Sequence, residues 1–142
     1  MHPIVRNILA VIAGVVIGSV VNYALVMAGP YPDGMILGDM ESLKAFLPQF
    51  EPIHFLFPFL GHAVGTLVGA FLAAVIAGNR KMIFAMVIGA WFLLGGIANA
   101  AMVGGPIWFT ILDIAVAYLP MAYLGYKIAG MLVKATPDEA QS

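Results

Sequence analysis

The sequence has little charge and no cysteine. Of its 142 residues, 9% are charged and 63% are hydrophobic, and the formal net charge is -1. A soluble domain averages about 25% charged residues, so this chain has too few to cover a globular surface against water. The absence of cysteine excludes disulfides, thiolate metal sites, cysteine nucleophiles and covalent haem attachment of the c type. The absence of a basic excess or a basic run argues against nucleic acid as a partner.

Long apolar runs take the place of charged surface. A membrane-spanning helix needs about 20 consecutive apolar residues. The segments that meet this criterion are 4–27, 53–77, 82–103 and 107–133. The connections at 78–81 and 104–106 are so short that they join antiparallel neighbours. The sequence therefore predicts an all-α, up-and-down bundle of four transmembrane helices, forming a single domain whose first partner is the lipid bilayer.

Positive charges lie unevenly on the two sides of this bundle. Five of the six Lys and Arg residues fall on the side of the termini, namely Arg6, Arg80, Lys81, Lys127 and Lys134. Lys44 alone falls on the other side. Because cytoplasmic loops are enriched in Lys and Arg, we expect both termini of this multi-pass protein to be cytoplasmic.

The segments outside the apolar cores have weaker patterns. The first span is too long for a signal peptide and has no clear Ala-x-Ala cleavage site, which favours a retained helix. In the loop 28–52, apolar residues at helical spacing over 39–47 predict a short amphipathic helix, with Asp39 as its N-cap and Pro48 as a stop. The tail 136–142 is polar and is expected to fray.

Small residues recur every four positions in two spans. The rows are Ala10, Gly14, Gly18 and Asn22 in the first span, and Gly61, Gly65, Gly69, Ala73 and Ala77 in the second. Such rows let helices approach closely in lipid. They can join helices of one chain or form a homo-oligomer seam, and the first interpretation is favoured because each helix of a four-helix monomer already has to bury this face.

The two halves of the chain share a weak echo. A Gly-x-x-x-Asn pattern precedes Pro-Ile-x-Phe in both, so Asn22 and Asn99 take equivalent positions. Duplication of a two-helix unit explains the echo, and so does chance in a chain dominated by Gly, Ile, Ala and Phe. Both interpretations stay open.

Polar residues that are rare in spanning helices converge at one depth. At 1.5 Å per residue, the strongest polar group of each span lies within roughly 6–14 Å of the outer surface. These groups are Asn22, His62, Asn99 and Asp113. The candidates for binding a proton or ligand are Asn22, His62, Thr66, Asn99, Thr110 and Asp113. Ionisable groups in such helices usually face the protein interior or a water-filled cavity. Because an unpaired buried aspartate is costly, we expect His62 to hydrogen-bond or ion-pair with Asp113.

Glu51 and His54 form a Glu-x-x-His pair at the outer mouth of the second span. This spacing occurs in carboxylate-bridged metal bundles, but the further carboxylates of such bundles are missing here. A divalent metal at Glu51 and His54 is therefore a minor hypothesis beside an interfacial histidine, and no cofactor is predicted.

The run Glu51-Pro-Ile-His54-Phe-Leu-Phe-Pro-Phe, followed by His62-Ala-Val-Gly-Thr66, supports a resemblance. Together with Leu94-Gly-Gly-Ile-Ala-Asn99 and Trp108 to Met121, it resembles a family of short, uncharacterised, four-span integral membrane proteins of bacteria. The resemblance covers most of the chain. It implies a bacterial inner-membrane protein and carries no activity.

Three functions fit these patterns. The first is a polar site for a proton, a cation or a small ligand in the outer half of the bundle. The second is a structural or accessory subunit that docks a larger membrane partner, with the polar groups joining helices. The third is a membrane enzyme with a histidine general base, which is disfavoured because the chain has no nucleophile motif or substrate-binding fingerprint.

Overall fold

The computed structural model describes residues 1–134, and in this range the chain forms helices and no strand. The helices are α1 (Pro3–Ala28), α2 (Met40–Phe46), α3 (Pro52–Ile76), α4 (Lys81–Val103), α5 (Ile107–Val116) and α6 (Leu119–Lys134). A 3-10 turn, Leu47–Gln49, follows α2. The predicted frayed tail, 136–142, lies outside the described residues.

Four helical stretches are long and apolar enough to cross a membrane, which confirms the four-span prediction at the level of length and composition. They are α1, α3, α4 and the combined stretch of α5 and α6. Their ends differ from the predicted bounds by at most one residue. The boundaries are sharp because Gly, Pro and charged residues flank each apolar run.

The fourth span is interrupted, where the sequence predicts one helix over 107–133. The regular pattern breaks at Ala117 and Tyr118, shortly before Pro120. Proline has no N–H to donate to the carbonyl four residues earlier, which here belongs to Val116. Helical bonding continues on both sides of the break, from Ala117 N to Asp113 O (2.9 Å) and from Ala122 N to Tyr118 O (2.8 Å). Pro58, in contrast, lies inside an unbroken α3.

Helix α3 lies at the centre and contacts α1, α4, α5 and α6. Its glycine row packs directly against α1. A Cβ atom on Gly65 would lie 2.8 Å from the Gly18 carbonyl oxygen, and one on Gly69 would lie 2.6 Å from the Gly14 carbonyl oxygen. The two rows of small residues therefore pack against each other within one chain, and the pairing shows that α1 and α3 are antiparallel.

Polar contacts fix the end of the bundle at which α1 begins, here called the terminal end. The Arg6 side chain donates to the carbonyl oxygen of Ile76 at 3.0 Å. Asn7 donates to the Asn79 side chain and accepts from the Gly78 backbone, both at 2.9 Å. These bonds join α1 to the turn between α3 and α4, so the register of the glycine contacts is held from one end.

The opposite end, here called the loop end, is covered by residues 29–51. Asp39 caps α2 by accepting from Ser42 N at 3.0 Å. The Ser42 hydroxyl in turn accepts from Ile36 N at 2.8 Å. Tyr31 donates to the Val26 carbonyl, and burial raises the pKa of the Tyr31 hydroxyl above its ordinary value, so it remains a donor. The loop is thereby folded back onto the helix ends.

We expect Gly65→Ala to destabilise the bundle by about 1–3 kcal/mol, because the added methyl meets the backbone of α1 and forces the helices apart. The measurement is the free energy of unfolding in detergent. A Cβ at Gly130, in α6, meets no atom within 4 Å, so Gly130→Ala should be neutral or gain about 0.5–1 kcal/mol of helix propensity. Equal effects of the two substitutions would contradict the close contact.

Candidate functional site

Asp113 in α5 is the centre of the polar cluster. The residue is 5% exposed, and both carboxylate oxygens have partners within the chain. Oδ1 lies 2.8 Å from His62 Nδ1 of α3, and Oδ2 accepts from the Tyr118 hydroxyl at 2.7 Å. The predicted contact between His62 and Asp113 is therefore present. Two donors from separate elements stabilise a charge that would otherwise be costly in an apolar bundle.

The contact with Asp113 determines where the proton lies on the His62 ring. An ionised carboxylate only accepts hydrogen bonds, so Nδ1 of His62 carries a hydrogen in the pair. In neutral imidazole the lone pair then belongs to Nε2. Within residues 1–134, Nε2 has no hydrogen-bond partner. Nε2 is therefore the ring nitrogen that is available to a further partner.

Tyr118 completes the cluster, although it is not among the candidate residues that the sequence indicates. It is 2% exposed, and its ring stacks beside that of His62 with centroids 5.8 Å apart. A Cβ at Gly96 of α4 would lie 2.2 Å from the Tyr118 hydroxyl oxygen, so glycine is required there. The sequence does contain an indication of this role, because Tyr118 lies within an apolar span, two residues before a proline. A tyrosine buried in such a span needs a hydrogen-bond partner for its hydroxyl.

The two threonines of the predicted site play local roles. Thr66 is fully buried and donates to the His62 carbonyl at 2.7 Å. Thr110 donates to the Pro106 carbonyl at 3.3 Å. Such bonds to the preceding turn satisfy the hydroxyl within its own helix. Thr66 therefore supports the backbone beneath His62 and does not line the cavity described below, whereas Thr110 does.

The two asparagines face one cavity from different helices. Asn22 of α1 packs against Gly61, and its Oδ1 is buried without a hydrogen-bond partner among the described residues. Asn99 of α4 is exposed. Neither side chain hydrogen-bonds Asp113 in the described part of the chain, so the structure places both near the cluster without joining them to it. Both asparagines line the cavity, and the equivalence that the sequence echo suggests stays a prediction.

A cavity of about 660 Å³ leads from the loop end to this cluster. His62 and the buried Asp113 and Tyr118 are among its lining residues. Its walls and cover are mostly apolar and include Met27, Met35, Leu43, Phe50, Phe55, Phe92 and Phe109. Pockets for small molecules typically have volumes of about 300–1,000 Å³ and apolar walls with few polar groups, and this cavity fits that description.

The cavity is open on the side between α1 and α4. Ser19 and Tyr23 of α1, and Gly95 and Asn99 of α4, both line it and are exposed. Helices α1 and α4 contact each other less closely than either contacts α3. A ligand can therefore reach the cluster from this side without passing through the packed core.

Glu51 and His54 lie apart from the cavity lining. His54 Nδ1 accepts from the Glu51 backbone N at 2.8 Å, which caps the start of α3. The His54 ring packs on Phe50 with centroids 5.3 Å apart. Among residues 1–134 no group of three or more His, Asp or Glu side chains is arranged to hold a metal. The structure thus gives this pair a capping role, and the minor metal hypothesis stays a prediction.

A double-mutant cycle checks the central pair. We expect His62→Ala and Asp113→Ala to be non-additive, with a coupling of about 0.5–3 kcal/mol in the free energy of unfolding, because they share one hydrogen bond. The matched cycle of His54→Ala with Asp113→Ala should be additive within about 0.5 kcal/mol. Additivity in both cycles would argue against the contact.

Removing the Tyr118 hydroxyl should leave one oxygen of Asp113 without a donor. We expect Tyr118→Phe to lower the free energy of unfolding by about 1–3 kcal/mol, the range for an unsatisfied buried polar group. Tyr123, in α6, is 46% exposed, so Tyr123→Phe should change stability by less than about 0.5 kcal/mol. If the two variants unfold alike, Tyr118 is not a functional donor to Asp113.

Comparison of the chain with protein-family models, with curated proteins and with solved structures finds no match in any of the three. The resemblance to four-span bacterial membrane proteins therefore stays a prediction of the sequence.

Proposed function

We propose that the chain is a small multi-pass membrane protein with a binding site in the cavity beside His62 and Asp113. The site takes a proton, a cation or a small ligand. The observation that supports this most directly is the pairing of Asp113. Its two oxygens accept from His62 and Tyr118. The Tyr118 hydroxyl is uncharged as a donor, so the pair of donors adds no positive charge when the His62 ring is neutral. The cluster then has a net charge of about -1, which a proton on His62 or a cation in the cavity would balance.

The position of the cluster in the bundle supports binding over pure helix association. A hydrogen bond that only joins transmembrane helices is worth about 0.6–2 kcal/mol, and a neutral pair would serve that purpose without placing a carboxylate in an apolar bundle. Here the carboxylate borders a cavity that is open at its side. Ionisable residues in this setting usually mark an ion or ligand pathway.

The orientation follows from charge. The terminal end carries Arg6, Arg80, Lys81, Lys127 and Lys134, so the positive-inside rule places both termini in the cytoplasm. The loop end, and the cavity beneath it, then lie on the outer side of a bacterial inner membrane, with the cavity opening sideways between α1 and α4. In this orientation the cluster exchanges protons or ligand with the outer half of the bilayer and the aqueous phase beyond it.

The natural absence of cysteine makes accessibility a direct test. Asn99→Cys places a thiol in the cavity, and Leu94→Cys places one on an exposed surface of α4 that does not line it. We expect a membrane-impermeant thiol reagent, added from the outer side in proteoliposomes, to label Asn99→Cys at least about 10-fold faster. The reagent reacts with the thiolate form of cysteine, which a water-accessible thiol at position 99 can adopt. A lipid-facing thiol at position 94 stays protonated and reacts slowly.

Equal and slow labelling of the two variants would mean that the cluster is dry. That result would favour a structural or accessory subunit and overturn the proposed binding site. Labelling of Asn99→Cys from the cytoplasmic side alone would overturn the orientation. Thermal unfolding midpoints close to that of the unsubstituted protein serve as the folding control for both variants.

A further inference from the structure

Apart from His62, which is hydrogen-bonded to Asp113, the charged side chains that line the cavity are carboxylates. Among residues 1–134, Asp39 and Asp113 are the two carboxylates of the lining, and no Lys or Arg belongs to it. Lys44, the cation of the loop end, pairs with Glu41 at 3.9 Å on α2, away from the lining. An anionic group such as a phosphate would lose its hydration here and gain no cationic partner. The charge distribution therefore selects against anions and in favour of cations.

The remaining surface of the cavity is suited to an apolar body. Besides the exposed Tyr23, six phenylalanine and tyrosine residues line the cavity. They are Tyr31, Phe50, Phe55, Phe92, Phe109 and Tyr118. Aromatic faces attract cations, most strongly where water is excluded. A hydrated inorganic ion gains little from such walls. An organic cation gains both from burial of its apolar groups and from the rings.

The edges of the side opening carry an amphipathic and a polar side chain, which suit a ligand with a charged centre and an apolar body. Tyr23 at the α1 edge is 63% exposed, and Asn99 at the α4 edge adds an amide. These amphipathic and polar groups sit within helices that are otherwise apolar on their exposed surfaces. A molecule with a charged centre and an apolar body can move between the two edges from the interfacial layer of a bilayer, where such molecules concentrate.

We propose that the cavity binds an organic cation with an apolar body, such as a hydrophobic amine or quaternary ammonium compound, with its charge toward Asp113 and its body against the aromatic wall. This proposal rests on the proposed binding function and specifies its ligand class. His62 lies at the base of the same cavity, bonded to the same carboxylate, so the bound cation and a proton on His62 compete to balance one charge.

The experiment compares two ions of the same shape and opposite charge. Tetraphenylphosphonium and tetraphenylborate are titrated against the protein in phosphatidylcholine nanodiscs, with empty nanodiscs as background. We expect saturable binding of the cation and none of the anion. Asp113→Asn keeps a side chain of the same shape and removes its charge, and it should weaken cation binding by about 10-fold or more.

A second pair of variants tests the location without touching the cluster. A Cβ at Gly95 would project into open space, and the residue lines the cavity, so Gly95→Leu should fill the cavity and abolish binding. Gly130 also has open space around it but lies away from the lining, so Gly130→Leu should bind as the unsubstituted protein does.

The outcomes separate this proposal from the proposed function. Equal binding of both ions, lost in Gly95→Leu, would overturn the charge selectivity and leave a ligand cavity in place. Binding of neither ion, with Asn99→Cys still labelled from outside, would overturn the organic cation as ligand. Binding of neither ion together with an unlabelled Asn99→Cys would overturn the proposed function itself.

Discussion

The burial of the Asp113 carboxylate is the constraint on which the rest of this structure depends. A carboxylate in an apolar bundle needs donors at both oxygens, and the chain supplies them from two elements, His62 of α3 and Tyr118 at the break between α5 and α6. The break before Pro120 places Tyr118 at the junction, and Gly96 leaves the room that its hydroxyl occupies. Three helices are thereby arranged around one charged group.

Close backbone contact supports this arrangement from the other side. The glycines of α1 and α3 bring the two helices so near that no Cβ fits between them. With α1 held against α3, the polar face of α3 turns toward α4 and α5, where the cavity lies. In a bilayer, small residues would replace the hydrophobic effect as the organising factor of such packing. The glycine row and His62 lie side by side on α3, so one helix contributes to both the close packing and the cluster.

The sequence predicted the four spans, the glycine contact and the pairing of His62 with Asp113, because each follows from a strong one-dimensional rule: apolar length, small-residue spacing, or the cost of an unpaired charge. It missed Tyr118, since pairing over five residues across a helix break is not a helical spacing. It also placed Thr66 among the candidate site residues beside His62, although the Thr66 hydroxyl bonds to the backbone of its own helix. Orientation, origin and ligand remain proposals, because they depend on partners and membranes outside the chain.

The contact between α1 and α3 has a consequence for how such a protein can evolve. The glycine seam between the two helices cannot accept larger side chains, since any added atom separates the helices. The α4 side is different, because Gly95 has open space before it. Substitutions that reshape the cavity are therefore expected at its lining side chains and not along the glycine seam, which lies outside the lining. The seam thus restricts the sequence at its glycines, whereas the cavity wall can accept side chains of other sizes.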